Sequence, residues 1–110
     1  MKSTYKDQLT LYDQLVGQCS RFERKGKTMP YTSSNGYMFS LLNKAGELGI
    51  RFSEERKKEI IAEFKSDIFK SYGATMRGYV LMTNEMLNDQ KVIQTFLNES
   101  FDYVNTLEPK

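Results

Sequence analysis

The chain has 110 residues, with 16 Lys and Arg against 14 Asp and Glu for a formal charge of +2, and 39% of its residues are apolar and 27% charged, the composition of one ordinary globular domain. A domain of this length buries about two thirds of its unfolded surface, enough for one core but not for an interdomain cleft. Histidine is absent and cysteine occurs once, which excludes His general bases, His metal sites, Cys-His nucleophiles, paired-cysteine redox centres and an intramolecular disulfide.

The N-terminal stretch carries Lys6, Asp7 and Asp13 where a secretory leader needs an unbroken apolar run, so a cytoplasmic protein with no membrane contact is expected. From Thr4 to about Arg24, apolar residues recur at Tyr5, Leu9, Tyr12, Leu15 or Val16, Cys19 and Phe22 in steps of three and four, which predicts a first helix capped by Gly26. Cys19 lies on that stripe and reads as a small buried hydrophobe rather than a reactive thiol. The period then changes to two. Thr28 to Ser33 reads as a short strand, and Pro30 within it indicates a sheet edge. Asn35-Gly36 is the strongest hairpin signal in the chain, because both residues tolerate the positive φ of a type I′ turn. In the second strand Tyr37, Phe39 and Leu41 alternate with Met38, Ser40 and Leu42, and a turn through Asn43 to Gly46 leads to a third strand with Leu48, Ile50 and Phe52 on one face.

Ser53 is an N-cap, followed by Glu54 and Glu55 in the first turn of a helix that runs to about Lys65 with Ile60, Ile61 and Phe64 as its apolar stripe. Ile68, Phe69 and Tyr72 are anchors in a less regular stretch closed by Gly73. Residues 75–82 form a strand apolar enough for an interior position. Thr83 caps a short turn, and Asn88 or Asp89 caps a last helix to about Leu107, whose residues Ile93, Phe96, Leu97, Phe101 and Val104 supply one layer of the core. The whole chain, 1–110, therefore reads as one α+β domain, an antiparallel sheet covered by helices in the order helix, three strands, helix, strand or strands, helix.

Two groups of residues are candidates for function. Residues 1–77 hold 14 basic and 9 acidic side chains, a net +5, whereas residues 78–110 hold 2 and 5, a net −3. The basic segment containing Arg21, Arg24, Lys25 and Lys27 is either a solvated helix end or a contact for phosphate or an acidic partner, and it falls short of the basic stripe of a dedicated nucleic-acid binder. Arg51, Arg56, Lys57 and Lys58 form a second basic group, interleaved with Glu54, Glu55 and Glu59, and read as i,i+4 pairs on an exposed helix face. Tyr31, Tyr37, Phe39, Tyr72 and Tyr79 are either core beneath the helices or an aromatic sheet face open to a peptide or a second protomer. Carboxylates and serines offer no acid/base or nucleophile spacing, so catalysis and bound metal are not expected.

Several local strings carry a family resemblance. Lys27-Thr28-Met29 leads into the first strand, Gly36-Tyr37-Met38-Phe39 starts the second and Glu47-Leu48-Gly49-Ile50-Arg51 forms the third. Met76-Arg77-Gly78-Tyr79-Val80 is followed by Leu87-Asn88-Asp89, then Phe96-Leu97 and the tail Leu107-Glu108-Pro109-Lys110. With this order of elements, the chain resembles the N-terminal domain family of the TfoX (Sxy) bacterial competence regulators over most of its length. That resemblance implies a secretion-chaperone-like α+β fold, frequent dimerisation, a regulatory or protein-interaction role, and no substrate or cofactor. A homodimer using some of Tyr31, Tyr37, Phe39 and Tyr79, or an unidentified protein partner, is the leading expectation. Binding of a small ligand or nucleic acid by residues 21–27 is the alternative.

Overall fold

The computed structural model describes residues 5–26, 29–71 and 73–109. Lys27, Thr28 and Tyr72, all named in the sequence readings, lie outside the described residues, as do Thr4 and Lys110. The elements in chain order are α1 (Tyr5–Gly17), β1 (Tyr31–Ser34), β2 (Tyr37–Leu42), β3 (Leu48–Arg51), α2 (Glu54–Phe64), β4 (Ile68–Ser71), β5 (Ala74–Met82), α3 (Asn84–Leu87) and α4 (Gln90–Val104). The α+β expectation holds: the five strands form one antiparallel sheet in the order β1-β2-β3-β5-β4.

The predicted caps form. Ser53, Thr83 and Asp89 side chains accept from the backbone N–H groups of Arg56, Met86 and Val92, each satisfying a donor that a helix start leaves orphaned. Asn35 (φ 56) and Gly36 (φ 84) make the expected tight hairpin turn. Asn35 does more than turn the chain: its Nδ2 donates to the carbonyls of Val104 and Leu107, both at 2.9 Å, and so closes the C-terminal end of α4.

Four expectations need correction. The first helix stops at Gly17, not Arg24, and Gly26 caps nothing helical. Gly17 is a weak helix former, and the chain beyond it is drawn toward α4, where Arg21 reaches Asp102 and Phe22 stacks 5.4 Å from Phe101. The stretch at 68–71 is a regular edge strand rather than irregular. The last helix ends at Val104 instead of Leu107. Finally, Leu41 does not share a face with Phe39. Thr32 pairs with Ser40 but the next residue, Ser33, pairs with Met38, leaving Phe39 as the extra residue of a β-bulge. The bulge turns Phe39 and Ser40 both toward the helices and Leu41 away from them.

The main core lies between the sheet and the helices. It contains Tyr12, Leu15 and Val16 from α1, Ile60 from α2, Met86 and Leu87 from α3, and Ile93, Phe96 and Leu97 from α4, packed on Leu42, Leu48, Ile50, Val80 and Met82. Phe101, expected in this layer, is half-buried and fills a corner with Phe22 and Phe39, its ring 5.9 Å from that of Phe39. A linked trio of buried hydroxyls interrupts the apolar layer. Ser40 Oγ lies 2.6 Å from the Tyr12 hydroxyl and also meets Thr32 Oγ1, so each group has a partner and the buried polar cost is offset. Among the described residues no helix is long and apolar enough to cross a membrane.

Candidate interaction surface

A second apolar cluster occupies the other side of the sheet. Leu41, Phe69 and Tyr79 form its buried floor, and Met29, Tyr31, Met38, Met76 and Leu81 stand half-buried around them. Every one of these residues comes from a strand or from the segment entering β1; no helix among the described residues contributes to this cluster.

Two local features build this face. The first is Gly49, which faces Phe69: a Cβ on Gly49 would lie 2.4 Å from the Phe69 ring, so the absent side chain is what lets the ring lie flat against β3. The second is an irregularity in β5, where Ile68 pairs with Val80 but Lys70 pairs with Thr75, and Gly78 takes φ +79. The extra residues put Met76 on the same side as Tyr79 and Leu81. Asn43 Nδ2 in the β2–β3 turn donates to the Lys70 carbonyl of β4 at 2.8 Å, which ties that turn to the edge strand.

The predicted aromatic group is divided between the two sides. Tyr31 and Tyr79 belong to the helix-free face, while Phe39 is fully buried against Phe22 and Phe101 on the helix side. Tyr37 stands at the end of the sheet, where its hydroxyl donates to the Glu108 carbonyl at 2.6 Å and its ring lies 5.4 Å from the Arg51 guanidinium. Tyr79 donates to the Met38 carbonyl at 2.7 Å, and burial holds its hydroxyl neutral well above the usual tyrosine range. Burial does the same to Tyr12.

The basic segment is largely tied into the fold. Arg24 is held by Asp13 at 2.5 Å and donates to the Gly26 carbonyl, and Arg21 pairs with Asp102 at 2.8 Å with its guanidinium 4.5 Å from the Phe101 ring centre. That pairing lowers the Asp102 pKa below the ordinary carboxylate value. Lys25 makes a long 3.4 Å contact with Ser33, and Lys27 lies outside the described residues. On α2 the expected i,i+4 pairing is replaced by an i,i+3 pair, Arg56 to Glu59, and by a bridge from Arg56 to Glu99 of α4 at 2.8 Å. Cys19 is buried as expected, though beyond the helix end, and burial raises its thiol pKa.

A cleft of about 410 Å³ between the β2–β3 turn and the end of β5 has Glu47 as its one ionisable lining residue, so it offers no acid/base pair. Met29, Met38, Met76 and Leu81, with Leu41 and Phe69 buried beneath them, make up the part of this face that the sequence pattern does not assemble. An isolated glycine inside the third strand was the available signal, since such a glycine marks a close approach. Comparison with protein-family models, curated proteins and solved structures returns no match for this chain.

Proposed function

We propose that this chain is a non-enzymatic protein-interaction module that pairs with a second copy of itself through the helix-free face of its sheet. The observation that carries the reading is that face itself: Met29, Tyr31, Met38, Met76 and Leu81, half-buried and contiguous around Leu41, Phe69 and Tyr79, with no helix among the described residues over them. An antiparallel sheet commonly leaves one face to water, but such a face is then polar, and contiguous exposed apolar area marks an interface. A second copy presents the same residues, so twofold pairing covers both patches at once. The resemblance to TfoX-type domains, which rests on the local strings quoted above, supports a dimeric regulatory module. The lack of histidine supports a role without catalysis.

Sedimentation equilibrium at micromolar concentration tests this, with Met38→Glu as the interface variant. The expected result is a dimer mass for the wild type that is insensitive to salt, and a monomer mass for Met38→Glu with unchanged circular dichroism. A wild-type monomer persisting to about 100 µM, well above typical specific dissociation constants, overturns the reading.

A further inference from the structure

We propose that Asn35 is a site of spontaneous deamidation, and that its product releases the C-terminal end of α4 from the β1–β2 hairpin. Asn35 is the one asparagine in the chain that is followed by glycine, so the backbone nitrogen that must attack its side chain is flanked by no Cβ. In the reaction the Gly36 nitrogen gives up its proton to base and bonds to Asn35 Cγ. The protonated base returns that proton to Nδ2, the Cγ–Nδ2 bond breaks, ammonia leaves and a five-membered succinimide is left. Water then opens the ring at one of its two carbonyls, which yields aspartate or isoaspartate without any oxidant or further reactant.

The fold places an unusual load on that amide. Its Nδ2 donates to two carbonyls 69 and 72 residues away, Val104 and Leu107, both at 2.9 Å. The neighbouring contacts close the same junction: Asn105 Nδ2 donates to Ser34 Oγ at 3.0 Å and the Tyr37 hydroxyl donates to the Glu108 carbonyl at 2.6 Å. While these bonds hold, the amide is engaged and the turn is fixed at φ 56 and φ 84, so cyclisation waits on local opening of the helix end. Conversion to aspartate replaces a two-proton donor by a carboxylate that only accepts. The new charge then faces two carbonyl oxygens at the negative end of α4, where it is repelled. Isoaspartate adds a backbone atom to a two-residue turn and disrupts the hairpin register as well. The junction therefore opens once and does not close again.

The test follows the full-length protein at physiological temperature and mildly alkaline pH by peptide mass spectrometry, with and without urea. The expected result is conversion at Asn35, about tenfold slower in the folded protein than in urea, which corresponds to about 1.4 kcal/mol of local opening. Tyr37→Phe, which removes the bond to Glu108, speeds conversion in the folded protein and leaves the rate in urea unchanged. Asn35→Asp, as the product mimic, melts at lower temperature than the wild type. An amide still intact in the folded protein after about thirty denatured-state half-times overturns the site. Equal rates with and without urea, or no acceleration in Tyr37→Phe, overturn the gating, and wild-type melting of Asn35→Asp overturns the release.

Discussion

Gly49→Ala tests the construction of the helix-free face at its tightest point. The new methyl would lie 2.4 to 2.6 Å from three atoms of the Phe69 ring, whereas ordinary carbon contacts sit at about 3.5 to 4.0 Å. The ring must therefore move by roughly 1 Å, and it has little freedom to do so. Phe69 is fully buried, rests against Leu41, and has its centroid 6.1 Å from that of Tyr79. Overpacking of this kind costs about 1–3 kcal/mol, a substantial part of the roughly 5–15 kcal/mol that holds a small domain together. Phe69→Ala alone should cost about 3–5 kcal/mol through the cavity it leaves. In Phe69→Ala the Gly49→Ala methyl meets no ring and enters that cavity, so the double variant should be more stable than the sum of the single changes implies, by about 1–3 kcal/mol. Urea melts of the four proteins measure the coupling. Additive losses within about 0.5 kcal/mol would mean that Gly49 and Phe69 do not touch, and the account of this face would fail with them.

Two further outcomes follow from buried hydroxyls. Ser40→Ala leaves the hydroxyls of Tyr12 and Thr32 without their shared partner and should cost roughly 2–3 kcal/mol, whereas Tyr12→Phe leaves Ser40 and Thr32 bonded to each other and should cost about 1 kcal/mol; denaturant melts that reverse this order refute the trio. Tyr12 and Tyr79 are held neutral in the fold above the ordinary tyrosine pKa of about 10, so the unfolded chain releases their protons first: their contribution to stability is complete below that pH and is lost as pH rises beyond it. Phenolate absorbance followed together with circular dichroism should show these two ionising only as the fold is lost, and full tyrosine ionisation with the dichroism intact contradicts it.

What the sequence discloses depends on how local its causes are. The Asn35-Gly36 turn and the caps at Ser53, Thr83 and Asp89 are each set by one or two residues acting on their immediate neighbours, and each forms as expected. The stripe Ile93, Phe96, Leu97 and Val104 is legible for the same reason, since helical spacing places it on one side without reference to the rest of the fold. The bulge at Phe39 is different. Nothing in Tyr37-Met38-Phe39-Ser40-Leu41-Leu42 interrupts the alternation, yet Ser40 must reach Tyr12 on α1 and Phe39 must reach Phe101 on α4, and one extra residue satisfies both. Ile68 and Phe69 are adjacent apolar residues with no visible period. Their opposite exposures follow from pairing with β5, 12 residues on for Ile68 and Val80.

The same distinction governs the charges. Residues 21–27 read as basic because arginine and lysine are adjacent there, but Arg24 finds Asp13 eleven residues back and Arg21 finds Asp102 eighty-one residues ahead. Both pairs are largely exposed to water, so each stabilises the fold by little. Their larger effect is on potential: two of the four cations in the segment are neutralised within 3 Å, and phosphate-driven affinity grows with the number of cations free to displace counterions. The apolar face has no comparable compensation, because among the described residues neither a helix nor a charge pair covers Met38 and its neighbours. Under the proposed pairing, unmet apolar area rather than unmet charge is therefore what a second copy covers.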